Sequence, residues 1–119
     1  MDVINLKEKL AQFSDQWSPK TIGQIDGHIV NLAKICGDFV WHAHDKQDEF
    51  FLVVAGRFRM DFRDKSVWVE EGETITVPAG VEHKPFAENE CAVMVIESAD
   101  VDHTGGVDDP RRKDTFDRI

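Results

Sequence analysis

The stretch Val40-Trp41-His42-Ala43-His44-Asp45-Lys46-Gln47-Asp48-Glu49-Phe50-Phe51-Leu52-Val53 decides how the chain is read. His42 and His44 stand one residue apart. Side chains alternate along a strand, so a strand over 39–44 sends both imidazoles, with Val40, to one face. Asp45 to Asp48 is polar and fits a turn. Glu49 then opens a second run in which Phe51 and Val53 recur at period two, so Glu49 shares their inward face. Two inward imidazoles without partners would cost about 1–3 kcal/mol each. A buried carboxylate beside them needs a charged partner or a metal. Neutral imidazoles cannot neutralise it, whereas a divalent cation can.

His83 supplies a third imidazole. It follows the turn Pro78-Ala79-Gly80, which reverses the chain, and it shares a face with Val81 and Pro85. Three imidazoles and one carboxylate leave one or two positions open on a transition metal, where water, dioxygen or a bidentate ligand binds.

Working outward, short runs rich in Val, Ile, Phe and Trp alternate with Gly, Pro and Asp. They predict strands at about 21–25, 28–35, 39–44, 49–55, 57–63, 66–70, 74–78, 82–86 and 91–97. Asp26-Gly27 is a hairpin signal, and Gly37-Asp38, Ala55-Gly56, Arg63-Asp64-Lys65 and Glu71-Gly72 read as further turns. Asn5 with Glu8 three residues on resembles a capping box, and Leu6, Leu10 and Phe13 follow at helical spacing, predicting a helix over 5–13. Strands do not alternate with helices, so the class is all-β, a barrel or sandwich with one short N-terminal helix. One domain is expected over 1–119: a helical segment at 1–18, a β-barrel at 21–98 and an extended tail at 100–119. That tail is either a solvated terminus or a flap across the barrel mouth or onto a partner subunit.

A chain of 119 residues fits one domain and needs no disulfide staple. Its formal charge of -9 repels phosphate backbones and anionic lipid headgroups, so neither nucleic acid nor a membrane is an expected partner. No apolar run approaches the ~20 residues of a membrane span, and residues 1–10 do not have the pattern of a signal peptide. The expected location is the cytoplasm. Cys36 and Cys91 then read as free, packed thiols.

The order Gly37-x4-His42-x-His44-x4-Glu49-x6-Gly56 resembles the first motif of the cupin superfamily, and Gly72-x5-Pro78-x-Gly80-x2-His83 resembles the second. Fifteen residues separate Gly56 from Gly72, a short spacer similar to that of small single-domain bacterial cupins. The first glycine-to-histidine gap is one residue shorter than the usual pattern, and Ala87 stands where it has asparagine. The resemblance implies a double-stranded β-helix, or jelly-roll barrel, with a metal held by His42, His44, Glu49 and His83.

The other histidines, His28 and His103, have no partner at ligand spacing and read as surface or hydrogen-bonded residues. Phe51, Phe58, Met60 and Phe62 face inward by alternation. Arg57, Arg59 and Arg63 face outward and read as solvated, while Trp41 and Trp68 pack under the helix or at a dimer contact. Glu97 shares the inward face of Val93 and Val95, where it is a candidate acid-base helper.

The functional expectation is one divalent transition metal (iron, manganese, nickel, zinc or copper) and a small metalloenzyme acting on a small oxygen-bearing metabolite. The alternatives are a metal-dependent module that binds or senses a sugar-like small molecule without turnover, and a metal site that serves stability alone. A homodimer is expected, with strands 21–25 and 28–35 pairing across it.

Overall fold

The computed structural model describes residues 1–100, 102–113 and 115–119. Val101 and Asp114, both within the expected tail, lie outside the described residues. Among the described residues the order is one short helix, α1 (Leu6–Leu10), and eight strands: β1 (Lys20–Ile25), β2 (His28–Asp38), β3 (Glu49–Ala55), β4 (Arg57–Phe62), β5 (Ser66–Glu70), β6 (Thr74–Val77), β7 (His83–Ser98) and β8 (Asp117–Arg118). The architecture is all-β, as the strand pattern implies, and it is the jelly roll that the resemblance implies.

Asn5 caps α1, its side chain accepting from the Glu8 amide at 3.0 Å. The helix stops before Phe13, short of the expected 5–13. Phe13 is drawn away from helical packing by Lys34, whose ammonium donates to the Phe13 carbonyl at 2.6 Å and lies 4.9 Å from its ring centroid. No residue of α1 is fully buried.

The long strand β7 organises the barrel. One edge pairs with β2 from Ser98 to Phe86. The other pairs with β4 near His83 and with β3 near Val93, so two ribbons hang from one strand. Two expected strands, 82–86 and 91–97, are therefore one strand. The polar Glu88-Asn89-Glu90 looks like a turn in sequence, but it is absorbed where the register shifts between Ile35 and Gly37 of β2. Beside it, Gly56 has φ +86°, and a Cβ there would lie 3.2 Å from the Glu90 carbonyl oxygen and 3.3 Å from Cys91 Cα. Only glycine allows this close crossing of the β3–β4 turn over β7.

The inward faces meet in a core that includes Ile35, Phe51, Val53, Phe58, Met60, Val69, Val77 and Val93. Phe62 is only partly buried at its margin.

Three further expectations are corrected. Strand 39–44 does not form, because His42 alone makes a bridge, to His83. The segment 28–35 is no free edge, since β2 is paired on both sides, with β1 and β7. The outer edge of β1 is itself partly covered by the chain's own β8, with Lys20 opposite Asp117 and Thr21 opposite Arg118.

Arg57 and Arg63 are exposed, as expected, and each also lies over a tryptophan, while Arg59 is half-buried. Arg57 stacks 3.8 Å over Trp68, which stays exposed, and Arg63 3.9 Å over Trp41, which is half-buried. Arg59 pairs with Asp61 at 2.6 Å.

The tail is not a solvated end. Arg111 donates to the Asp38 carbonyl at 2.9 Å and to both carboxylate oxygens of Asp109. Its guanidinium lies 4.6 Å from the Phe39 ring. These contacts fix the described tail residues around it against the barrel mouth.

Candidate metal centre

His42 and His44 lie on the loop between β2 and β3, Glu49 is the first residue of β3, and His83 is the first of β7. Backbone bonds hold the loop in place. His42 donates to the His83 carbonyl at 3.1 Å, and His83 donates back at 2.9 Å. The Gly80 amide donates to the His44 carbonyl at 2.9 Å, and the Ala79 amide to Asp48 Oδ1 at 2.9 Å. The Pro78-Ala79-Gly80 turn is thus tied to both ends of the His44–Glu49 segment.

The four side chains are all buried, and one donor atom from each lies within 4.8 Å of all the others. The structure therefore brings together all four residues singled out in the sequence. His42 Nδ1 lies 2.8 Å from the Val40 carbonyl, and His83 Nδ1 2.9 Å from the Val81 carbonyl. A carbonyl only accepts, so each Nδ1 carries a proton and leaves Nε2 to face the centre of the group. His83 Nε2 is 3.2 Å from Glu49 Oε1. His44 Nε2 is 3.3 Å from the same oxygen but misaligned for a hydrogen bond, so it is a buried nitrogen without a partner.

Burial, then the neighbouring His83, lowers the His42 pKa from 6.5 to about 4, so this imidazole is neutral near pH 7. Burial alone would raise that of Glu49. The contacts from His44, His83 and Glu97 outweigh it and hold the carboxylate well below its usual range. Glu97 moves the other way, pushed far up by burial and by the charge of Glu49. A neutral His42, an ionised Glu49 and an unpartnered His44 nitrogen belong to a donor set that suits a divalent transition metal.

A cavity of about 60 Å³ adjoins the group. His42 and Glu49 reach it, while Trp17, Phe39, Phe51 and Val93 supply apolar wall. Glu97 and His103 add two more polar groups. That volume holds a few water-sized groups, which limits any occupant to a small molecule. Cys91 is in the core rather than on this wall, and burial raises its thiol to about 12, leaving it inert.

Glu97 was visible from its period-two spacing with Val93 and Val95. His103 was expected at the surface or hydrogen-bonded. It is buried, and its Nε2 donates to the Arg111 carbonyl at 3.0 Å. Trp17 and Phe39, whose rings stack 4.7 Å apart, were not singled out for the site. No spacing signals them, because their contact joins the segment before β1 to the end of β2. His28 is exposed and takes no part.

A family model described as the cupin domain matches residues 28–97. The uncharacterized protein YdbB of Bacillus subtilis (strain 168) is 35% identical over 80 residues, which cover 66% of this chain and 65% of that protein. The chain thus matches just under two thirds of that relative's length.

Among solved structures, a cupin-2 domain containing protein from Shewanella frigidimarina is 42% identical with a TM-score of 0.80, over 81% of this chain and 94% of that one. The protein NMB1881 of Neisseria meningitidis is 38% identical with a TM-score of 0.75, over 82% and 99% of the two chains.

Proposed function

The chain belongs to the cupin domain family, and from that premise we propose that it is a small metalloenzyme acting on a small oxygen-bearing metabolite. His42, His44, Glu49 and His83 would hold one divalent transition metal: iron, manganese, nickel, zinc or copper. The observation that carries this reading is the convergence of four buried donors with the protons of His42 and His83 fixed on Nδ1. Such a metal supplies Lewis-acid polarisation of a ligand oxygen or, as iron, oxygen activation.

The chain's own residues account for the rest of the site. The Val40 and Val81 carbonyls orient two imidazoles, an arrangement that raises ligand basicity and fixes the ring planes. Glu49 contributes negative charge where it is shielded from water. The apolar wall excludes bulk water and strengthens polar contacts to anything held there. Incubating the metal-loaded protein with a panel of small hydroxy and carbonyl compounds, in excess protein so that one turnover is detectable, tests the enzymatic reading. Product that disappears in His42→Ala supports it, and no product from any compound contradicts it.

One observation favours a second reading, a metal-dependent module that binds or senses a small molecule. Among the described residues, those lining the cavity include no serine, cysteine or lysine to act as a nucleophile. Under this reading the same panel yields a compound that raises the melting temperature without product.

A homodimer fits the same architecture, because β8 covers only Lys20 and Thr21 of β1. The remaining edge at Gly23–Ile25, with Ile25 58% exposed, is free for a second copy among the described residues. Light scattering on a sizing column decides it. Twice the monomer mass supports pairing, and a monomer at all concentrations refutes it. No helix among the described residues is long and apolar enough to cross a membrane.

A further inference from the structure

Among the described residues, three buried side-chain polar atoms lack a hydrogen-bond partner: His44 Nε2, Glu97 Oε2 and His103 Nδ1. Buried polar groups are nearly always paired, so three orphans in one region call for a cause. His44 Nε2 belongs to the metal group. The other two sit on residues that line the cavity, one from strand β7 and one from the tail.

Their neighbours fix what each can accept. His103 Nε2 faces the Arg111 carbonyl at 3.0 Å and must donate to it. His103 Nδ1 is then a lone pair that needs a donor. The ring is held in place, stacked 6.1 Å from Phe39 and edge-on to Phe116 at 5.4 Å. Glu97 Oε1 accepts from Asn31 Nδ2 at 3.4 Å, and Asn31 Oδ1 is in turn taken by the Thr21 hydroxyl at 2.7 Å. That relay occupies Oε1, and the carboxyl also contacts Glu49, while Oε2 itself has no hydrogen-bond partner among the described residues. A hydroxyl group answers both needs: it donates to an imidazole lone pair and pairs with a carboxyl in either protonation state. Among the described residues no lysine or arginine lines the cavity, so among them nothing but the metal group favours an anion there.

We infer that Glu97 and His103 form a recognition pair for a small uncharged molecule carrying two neighbouring hydroxyl groups, one for each residue. The inference rests on reading this cavity as the ligand site, and does not require the metal to be bound. It also goes beyond what the family supplies, because the family match ends at residue 97 and His103 comes from the tail.

The probes are propane-1,2-diol and its two near-isosteres that replace one hydroxyl by methyl, butan-2-ol and 2-methylpropan-1-ol. Full-length 15N-labelled protein is titrated with each, both zinc-loaded and chelator-treated, with metal content measured on the same samples. The diol is expected to bind about fivefold more tightly than either mono-alcohol in both forms, the factor typical of one hydrogen bond. It is also expected to shift the His103 Nδ1 resonance. His103→Phe, which keeps the ring stack, and Glu97→Leu should each erase the advantage over one of the mono-alcohols.

Equal binding of all three alcohols by the wild type overturns the pair. So does an unmoved Nδ1 resonance at saturation, or a preference unchanged in both variants. The wild-type comparison stands even where a variant fails to fold. Metal bound without diol preference refutes the pair alone, whereas diol preference without any metal uptake upholds the pair and refutes the metal centre.

Discussion

The backbones of His42 and His83 exchange hydrogen bonds in both directions, at 3.1 and 2.9 Å, although His42 lies in a loop and His83 begins the longest strand. This bridge sets the two rings 4.3 Å apart between centroids. It explains how a loop can hold two of four donors as firmly as a strand would.

Without metal, the centre should be sensitive to acid. The His42 pKa is depressed from 6.5 to about 4, so between those values the unfolded chain binds a proton that the folded chain refuses. Stability therefore falls as pH drops through that window, by up to about 3 kcal/mol at its lower end. Glu49, also depressed, adds a loss that begins below its unfolded value of 4.5. Glu97, pushed up, acts the other way above 4.5, so the His42 effect is read as a difference. Thermal melts of chelator-treated protein from pH 7 to pH 4 should show a shallower loss, or a larger gain, of midpoint in His42→Phe than in the wild type. Parallel profiles in the two proteins contradict the burial of a neutral His42.

Gly56→Ala should destabilise the barrel by about 1–3 kcal/mol. The position has φ +86° and lies 3.2 Å, measured from an ideal Cβ, from the Glu90 carbonyl oxygen on β7. Urea unfolding with an unchanged slope and a lower midpoint is the expected result.

Gly105→Ala should loosen the tail from the donor loop. A Cβ at this residue would collide with the Ala43 carbonyl oxygen and come within 3.0 Å of His42 Cβ. Chelator-driven metal release from the loaded variant should be several-fold faster than from the wild type, as followed by a coloured chelator. An unchanged rate would show that the tail does not brace His42.

The sequence revealed the donor set for a simple reason. His42, His44 and Glu49 are close in the chain, and period-two alternation sends them inward even though 39–44 is not a strand. The polar run Glu88-Asn89-Glu90 disguised β7 as two strands, because its place in the sheet depends on a register shift in β2. The tail was harder still. His103 is oriented by a backbone carbonyl, that of Arg111, and backbone partners leave no signature in residue type. Arg111 likewise reaches the carbonyl of Asp38 rather than its side chain. Contacts of this kind exist only once the barrel has formed.

Metal content by mass spectrometry, on protein purified without a histidine tag, tests the central claim most directly when wild type and His83→Ala are compared. The account predicts about one transition-metal ion per wild-type chain and near-complete loss in the variant, with the barrel still folded by circular dichroism. A wild-type protein that takes up no metal even on reconstitution, or a variant that keeps a full equivalent, would contradict it.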